Sequence, residues 1–142
     1  MDGKLECKVI GGGRPAGICG SGLIDIIACL LDAGVIDESG KLLENPRVVQ
    51  IDENTKKAYL LADPLESGDG KPVYLSQKDI REVQLAKGAI AAGIALLAEQ
   101  MGITLEEVEQ VYIAGAFGNY MDPAGACRIG MLPGILKDRI IP

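Results

Sequence analysis

Two short glycine-rich segments hold the residues of this sequence that are best suited to binding a ligand. They are Gly17–Gly22 and Gly115–Gly118, and each is followed by a predicted helix. Glycine lets the backbone turn tightly and lets a flat group approach it closely, and the N–H groups at a helix N-terminus favour phosphate. The chemistry expected of such segments is nucleotide binding. A tight crossover between a strand and a helix, without any ligand, would use the same glycines.

The second segment follows an apolar run that is typical of a buried strand. Val111–Ala114 contains only apolar or aromatic residues, so we expect a strand covered on both faces at the centre of a mixed sheet. After the glycines, Asp122 is a typical helix N-cap and Pro123 a typical first helical residue. Strand, glycine turn and helix in this order build a nucleotide pocket in many α/β proteins, at the carboxyl end of the strand.

The first segment is predicted to be a closely packed loop between a strand and a helix. Leu5–Val9 alternates apolar and polar residues and therefore predicts a half-buried strand. We expect Ser21 to cap a helix over Leu23–Ala33. Asp25 would lie in the first turn of this helix, and Gly34 would end it. The segment lacks the lysine of a Walker-type phosphate loop, so that motif is excluded, but backbone N–H groups at the helix start could still contact phosphate.

The longest predicted helix covers Gln77–Met101 and begins with a capping-box-like pattern at Ser76–Asp79. Its core stripe is expected to consist of the apolar residues that recur every three or four positions, namely Ile80, Val83, Ala86, Ile90, Ile94, Leu97 and Met101. On another face, Gln84 and Lys87 are three residues apart and can contact the same ligand. The small residues that follow usually indicate close packing against another helix, but a purine and its ribose could also lie across this turn.

The middle of the chain, residues 35–75, shows no pattern that indicates chemistry. Val48–Ile51 and Ala58–Leu61 are predicted strands, joined by the polar turn Asp52–Lys56. Glycine and proline residues then predict an exposed loop. We interpret this segment as a β-hairpin and loop insertion, which could serve as a surface for a partner.

Composition argues against several classes of function. With 142 residues, of which 48% are hydrophobic, the chain suits one domain with a core. Its net charge is −6 without histidine, and it has no basic cluster, which argues against binding nucleic acid or an anionic membrane surface. The longest apolar run, Ala89–Ala98, is too short to span a bilayer, and no signal peptide is recognisable, so we expect a cytoplasmic protein.

The four cysteines are not arranged like metal ligands. Cys7, Cys19, Cys29 and Cys127 lack the spacing of two residues that is typical of zinc and iron–sulfur sites. We therefore predict no metal site in this chain. Each cysteine is expected to be a small buried residue in a reducing cytosol.

Four segments together resemble the carboxyl-terminal part of the reductive activators of corrinoid proteins. They are GICGSGLID at Gly17–Asp25, DIREVQLAKGAI at Asp79–Ile90, IAGAFGNYMD at Ile113–Asp122 and IGMLPG at Ile129–Gly134. They span most of the chain in the order found in that family, which belongs to the superfamily of acetate kinase, sugar kinases, Hsp70 and actin. The resemblance implies an α/β fold, namely a ribonuclease-H-like subdomain of an actin-type ATPase with a mixed sheet flanked by helices.

The resemblance also implies the residues of an adenosine site. The family's adenosine motif resembles the turn formed by Gly115, Ala116, Phe117, Gly118 and Asn119. The helix positions that flank adenine and ribose resemble Gln84, Lys87 and Gly88. The loop and helix start that follow the second phosphate motif resemble Gly20, Ser21 and Gly22. The implied cofactor is ATP or ADP with Mg²⁺, while no catalytic residue and no metal ligand can be recognised.

Several parts of the family's pattern are not found in this sequence. It contains no first phosphate motif, no second phosphate loop, no closing helix with Gly-Asn and no iron–sulfur domain with its own cysteines. We therefore expect residues 1–142 to be a carboxyl-terminal nucleotide-binding subdomain fragment that is incomplete at both ends. Uncovered sheet edges would favour a homodimer.

For the whole protein, the resemblance implies ATP-dependent return of an inactive Co(II) corrinoid protein to Co(I). A [2Fe–2S] domain outside this chain would supply the electron, and the partner would be a corrinoid protein or a corrinoid methyltransferase. Nucleotide binding would be coupled to reduction through a conformational change. Two other interpretations stay open: a dimerisation or docking module without nucleotide contact, and a subdomain of a small-molecule kinase of the same superfamily.

Overall fold

The structure is a computed structural model that describes residues 5–51, 57–115 and 117–141. The chain divides into two units, which are described separately. Unit 1 contains residues 1–19 and 29–81, and unit 2 contains residues 20–28 and 82–142. The chain contains both helices and short strands, as expected for the α/β class. The strands lie in two small sheets, one antiparallel and one parallel, where the sequence predicted a single mixed sheet.

Unit 1 contains a three-stranded antiparallel sheet. Its strands are β1 (Val48–Val49), β2 (Ala58–Ala62) and β3 (Val73–Ser76), and β2 lies in the middle. The pairing of β1 with β2 confirms the predicted hairpin, whose turn over 52–56 lies outside the described residues. Strand β3 was not predicted, because it is short and directly precedes a strong helix start.

Several apolar side chains of this sheet are fully buried. Tyr59 of β2 lies opposite Leu75 of β3, and both are 0% exposed, as is Leu42. Gln77 adds a polar link, because its side chain accepts a hydrogen bond from the N–H of Leu42 at 2.9 Å and donates one to the carbonyl oxygen of Gly40 at 2.6 Å. Unit 1 therefore combines a closed apolar core with satisfied backbone groups at its edge.

Unit 2 contains a two-stranded parallel sheet, formed by β4 (Val111–Tyr112) and β5 (Ile140–Ile141). Arg139 fixes the segment that leads into β4. Its guanidinium donates hydrogen bonds to the carbonyl oxygens of Glu106 at 2.7 Å and Val108 at 2.5 Å. A single side chain thus holds the approach to β4 beside the start of β5.

The predicted central strand over Val111–Ala114 is wrong for this chain. β4 is shorter than predicted, has one neighbouring strand in the part of the chain that the structure describes, and leaves Tyr112 69% exposed. An apolar run shows that a segment prefers burial, but successive side chains point to opposite faces of a strand. The apolar run itself does not show which of these two faces is covered by another segment.

In the described residues, the α-helices are α1 (Gly20–Asp32), α2 (Gln77–Met101) and α3 (Pro123–Arg128). The predicted bounds of α2 are confirmed. Ser76 and Asp79 cap its start reciprocally, with Ser76 N to Asp79 Oδ2 at 2.8 Å and Asp79 N to Ser76 Oγ at 3.1 Å.

All of these helices end in the same way. Gly34, Gly102 and Gly130 follow α1, α2 and α3 with φ values of 68°, 66° and 76°. The N–H group after each glycine bonds back to a carbonyl of the helix, for example Met131 N to Ala126 O at 2.9 Å. This is the Schellman motif, which requires the left-handed conformation that glycine adopts without steric cost.

Two predictions near the N-terminus are wrong. Leu5–Val9 forms no strand, and α1 begins at Gly20, three residues before its predicted start. Cys19 is therefore the N-cap, Ser21 lies inside the first turn, and Asp25 lies beyond that turn. Glycine disfavours helix by propensity, but tertiary contacts commonly override this preference.

The predicted core stripe of α2 is buried only at its start. Ile80 is 1% exposed, whereas Ile90, Leu97 and Met101 are 43%, 65% and 70% exposed. Leu85, on another face of α2, is 71% exposed. The helical period identified apolar faces correctly, but it could not show whether this chain covers them.

The cysteines are also less buried than predicted. Cys7, Cys19 and Cys29 are exposed, Cys127 is half-buried, and none of the four forms a disulfide bond. Partial burial raises the pKa of the Cys127 thiol, although the nearby charge of Lys137 acts in the opposite direction. A raised pKa lowers the thiolate fraction at neutral pH, so Cys127 is a weak nucleophile.

Candidate functional site

The second glycine-rich segment forms a tight turn directly after β4. Gly115 has a φ of 91°, and the N–H of Gly118 donates a hydrogen bond to its carbonyl oxygen at 3.1 Å. A Cβ atom built on Gly118 would lie 2.5 Å from the carbonyl oxygen of Ile113, whereas one built on Gly115 would meet no atom within 4 Å. The turn is therefore closed at Gly118 and open to a ligand at Gly115.

The remaining predicted residues of this turn differ in exposure. Phe117 is 44% exposed, and Asn119 is exposed, while Ala116 lies outside the described residues. The N–H of Met121 donates a hydrogen bond to the carbonyl oxygen of Phe117 at 3.1 Å, which leads the chain towards α3. The turn thus presents one aromatic and one amide side chain to solvent.

Phe117 brings the two glycine-rich segments together within unit 2. A Cβ atom on Gly20 would lie 3.0 Å from Cε2 of Phe117, so the ring rests against the bare backbone of the first residue of α1. A side chain at position 20 would require this ring to shift slightly. Both residues are recognisable as candidate site residues in the sequence, but the contact between them is not.

The start of α1 provides backbone N–H groups near this ring. The N-cap residue, Cys19, makes no side-chain hydrogen bond to the helix. Ser21 is 6% exposed, and Gly22 is half-buried. The first N–H groups of an α-helix have no partner inside the helix, so they are suitable donors to an anion.

The predicted cap of α3 is confirmed. The Asp122 carboxylate accepts hydrogen bonds from the N–H groups of Ala124 at 3.0 Å and Gly125 at 3.1 Å. In turn, the N–H of Asp122 donates to Oδ1 of Asp25 at 3.2 Å. Burial raises the pKa of Asp25, the hydrogen bond from Asp122 lowers it, and the negative charge of Asp122 raises it again, with a net upward shift.

Lys87 is bound to the end of α3. Its ammonium group donates a hydrogen bond to the carbonyl oxygen of Ile129 at 2.5 Å, and it would lie 3.5 Å from a Cβ atom on Gly130. A cation at a helix C-terminus interacts favourably with the carbonyl groups there. The residue predicted to contact ribose or phosphate therefore has a protein partner, although an ammonium group has three donor hydrogens.

The other two predicted residues of α2 are Gln84, which is half-buried, and Gly88, which is exposed. A Cβ atom on Gly88 would meet no atom within 4 Å, so a ligand could approach the helix backbone there. These contacts form two groups in unit 2, one around Phe117 and one around Ile129. α3 connects them, because it begins directly after its N-cap Asp122 and ends beside Lys87.

Chemically, the turn and the start of α1 offer open glycine backbone, a half-exposed aromatic ring and backbone N–H groups, which are suited to stacking and to hydrogen bonds with an anion. Among residues 5–51, 57–115 and 117–141, no group of three or more His, Cys, Asp or Glu side chains could hold a metal. Within the same residues, none of the helices combines the length and hydrophobicity needed to cross a bilayer.

Sequence reasoning missed Asp25 as a partner of Asp122, Ile129 as a partner of Lys87, and the role of Arg139. Each of these hydrogen bonds joins a side chain to a main-chain group that is remote in sequence. The sequence places Asp25 in the first turn of its own helix. A signal was available for Asp25, because Gly125 occupies the position where a capping box would place a glutamate.

Comparisons with known proteins agree on one family. The model of the C-terminal domain of RACo, the ASKHA domain, matches residues 1–142. The chain is 40% identical to the corrinoid activation enzyme RamQ of Eubacterium limosum over 142 residues, covering 94% of this chain and 24% of that protein. It is 31% identical to the [Co(II) methylated amine-specific corrinoid protein] reductase of Methanosarcina barkeri, covering 94% of this chain and 21% of that protein.

A solved structure gives the same result. The chain matches a reductive activator for corrinoid,iron-sulfur protein with a TM-score of 0.86 and 38% sequence identity, covering 94% of this chain and 21% of that one. The chain therefore spans about a quarter or less of the length of the relatives it matches. The likeness applies to the domain, and the rest of each relative has no counterpart in these 142 residues.

Proposed function

The chain belongs to the family of the C-terminal domain of RACo, the ASKHA domain, and we propose that it is the adenosine-binding part of an ATP-dependent reductive activator of corrinoid proteins. The observation that carries this proposal is the contact between Phe117 and Gly20 in unit 2. It joins the turn that resembles the adenosine motif to the helix start that resembles the segment after the second phosphate motif.

In this proposal, each group of residues has a separate task. The open backbone at Gly115 and the exposed part of Phe117 receive the adenine and its ribose. The N–H groups at Gly20–Gly22 face the phosphates, since a helix N-terminus favours anions. Gln84 and Gly88 contribute from α2. Lys87 keeps its bond to Ile129 and offers its remaining hydrogens to the nucleotide.

In the proposed activator, the electron donor and the ligands of the metal ion lie outside this chain. The described residues contain no cluster of metal-binding side chains, so we assign Mg²⁺ ligands and a [2Fe–2S] group to other parts of a longer protein. When bound there, these groups would supply charge neutralisation and a low-potential electron. This chain would contribute nucleotide binding and orientation, and the activator would return a Co(II) corrinoid protein or corrinoid methyltransferase to Co(I).

A docking or dimerisation module is the second candidate function. It is favoured by the exposed apolar residues of α2, of which Leu85, Leu96 and Leu97 are 71%, 59% and 65% exposed. We expect the 142-residue chain to form a homodimer, as light scattering at micromolar concentration would reveal. A monomer throughout that range would contradict this expectation without bearing on nucleotide binding.

NMR titration of the ¹⁵N-labelled chain with ATP and ADP tests the main proposal. We expect weak binding, with shifts at Gly20, Gly115 and Phe117, and no hydrolysis. Shifts confined to unit 1, or none at millimolar ATP, would exclude the adenosine-binding role and favour the docking module.

Three variants sharpen the titration. The variants are Phe117→Ala, Gln84→Ala and Lys87→Ala, and each should weaken ATP binding roughly threefold to a hundredfold. For the two polar residues the reason is a lost hydrogen bond, which costs about 0.5–1.5 kcal/mol and up to about 3 kcal/mol when a charge is involved. For Phe117 the free energy of the lost stacking is of similar size. Lys71→Ala, at an exposed site in unit 1, is the matched control. If the three site variants bind ATP with the same affinity as the control, the proposed site is contradicted.

A further inference from the structure

We infer that Asp25 is a positioning residue for the proposed nucleotide site, because its carboxylate attaches the segment that follows the glycine turn to α1. The inference rests on the proposed function and adds a residue that the adenosine motif does not include. Oδ1 of Asp25 accepts the N–H of Asp122 at 3.2 Å, and this N–H immediately precedes α3.

The sequence of α3 explains why an acceptor from another helix is needed. In a capping box, the third helical residue is a glutamate or glutamine whose side chain accepts the N–H of the N-cap residue. In α3 that third residue is Gly125, which has no side chain. Asp25 therefore supplies, from α1, the acceptor that α3 lacks.

Steric packing supports the same assignment. A Cβ atom on Gly125 would lie 3.4 Å from Oδ1 of Asp25 and 3.5 Å from the Cβ atom of Ala28. At these distances a Cβ atom would be in ordinary van der Waals contact with α1, so position 125 faces the helix that carries Asp25.

Two contacts thus hold one segment on one helix. Phe117 rests on Gly20 at the start of α1, and Asp122 bonds to Asp25 further along the same helix. Between them lie Gly118 and Asn119 of the proposed site. With both contacts present, the turn and the N–H groups of α1 keep a fixed separation, which a ligand that spans them requires.

The positioning role requires the acceptor oxygen of Asp25 but does not require its negative charge. The Asp122 carboxylate also faces Asp25 and repels its negative charge. Asparagine keeps an acceptor oxygen and removes this repulsion, whereas alanine removes the acceptor. Asp25→Asn should therefore preserve the position of the turn, and Asp25→Ala should release it.

Amide exchange and ATP titration of the ¹⁵N-labelled 142-residue chain test the inference in two independent ways. In Asp25→Ala, the Asp122 amide should exchange about two- to tenfold faster than in wild type, and ATP affinity should fall by a similar factor, as expected for one lost hydrogen bond. Asp25→Asn should match wild type within about twofold in both measurements. Asp138→Asn, at an exposed residue of unit 2, is the control.

Each outcome decides a specific statement. Unchanged exchange at Asp122 in Asp25→Ala would overturn the attachment itself. Faster exchange with unchanged ATP affinity would overturn the positioning role while leaving the nucleotide site intact. If wild type binds no ATP, the proposed function fails and the positioning role fails with it. Rescue by asparagine, with loss in alanine, would support the inference.

Discussion

Units 1 and 2 differ in how fully they bury their large apolar side chains. In unit 1, Tyr59 and Leu75 of the three-stranded sheet are 0% exposed. In unit 2, Leu85 and Leu97 of α2 and Tyr112 of β4 are 71%, 65% and 69% exposed. Both units contain buried apolar residues, such as Ile24 and Ile129 in unit 2. Among the described residues, however, the large side chains that are most fully buried lie in unit 1, and unit 2 presents more exposed apolar side chains together with most of the predicted site residues.

This difference indicates where stability and where binding reside. A buried apolar side chain contributes to stability in proportion to the area it removes from water, so the sheet of unit 1 is expected to dominate the stability of the chain. Exposed apolar patches usually mark sites for ligands or partners. Substitutions of the same chemistry in the two units should therefore have unequal effects.

The largest contrast is expected between two identical leucine substitutions. Leu75→Ala in β3 should lower the free energy of unfolding by about 2–5 kcal/mol, because it leaves a cavity in a closed core. Leu97→Ala in α2, at a side chain that is 65% exposed, should change it by about 0.5 kcal/mol or less. Urea unfolding followed by circular dichroism measures both. An equal loss in the two variants would mean that α2 is covered in solution, and its dependence on protein concentration would reveal self-association.

The second contrast lies inside unit 2, between a closed and an open glycine. Gly118→Ala places a Cβ atom 2.5 Å from the carbonyl oxygen of Ile113 and should cost about 3 kcal/mol, as overpacking does. Gly93→Ala, in α2 with no atom within 4 Å of the new Cβ, should instead stabilise by about 0.5–1 kcal/mol. Thermal unfolding of both variants is the measurement. A neutral Gly118→Ala would contradict the geometry of the turn.

This geometry also changes how a substitution at Gly118 can be interpreted. Gly118→Val would place a branched side chain where the nucleotide is proposed to meet the backbone. The structure shows that its side chain would first collide with the chain's own backbone at Ile113. Loss of ATP binding in that variant would therefore report a disrupted turn, which is why Phe117→Ala is the more informative substitution.

The helix bounds show what could be predicted from the sequence. The start of α2 depends on Ser76 and Asp79 and its end on Gly102, all of which lie within or beside the helix. The same holds for the cap of α3 by Asp122. Signals of this kind are local, so a single sequence is sufficient to recognise them.

Burial and contacts between distant segments could not be predicted in the same way. The apolar period of α2 was recognised, but the exposure of Leu97 depends on which other residues cover it. Likewise, Phe117 and Gly20 were both proposed as site residues, yet only the folded chain reveals that they touch. The bond from Asp122 to Asp25 belongs to this class as well, because no local rule connects two segments so far apart.

A smaller effect is expected at Lys87, whose bond to Ile129 holds the end of α3. Lys87→Met keeps the aliphatic stem and removes the donor, so it should lower the free energy of unfolding by about 1 kcal/mol, the usual net value of one hydrogen bond. Lys137→Met, at an exposed lysine of the same unit, should have no measurable effect. Urea unfolding compares them. Equal stability of the two variants would show that the bond to Ile129 does not contribute.

The smallest expected effect compares one aspartate from each unit. In unit 1, the hydroxyl of Ser39 donates to Asp37 at 2.6 Å and the N–H of Lys41 donates at 3.0 Å, and these hydrogen bonds lower the pKa of Asp37 below its ordinary value of 3.8. In unit 2, burial, with the nearby charge of Asp122, raises the pKa of Asp25 above that value. The two carboxylates should therefore influence stability in opposite directions as pH changes.

The sign follows from which protonation state the folded chain prefers. Asp37 is stabilising when ionised, so its contribution is complete above pH 3.8 and is lost as pH falls through its lowered pKa. The folded chain favours the neutral form of Asp25. The contribution of this residue to stability is therefore complete below pH 3.8 and is lost as pH rises through the raised pKa of Asp25. Compared with wild type at the same pH, Asp37→Asn should be destabilised more at pH 7 than at acidic pH. Asp25→Asn should be more stable than wild type at pH 7. Unfolding midpoints of the three proteins across this pH range measure the effect, and a shift of the same sign in both variants would refute the contrast between the units.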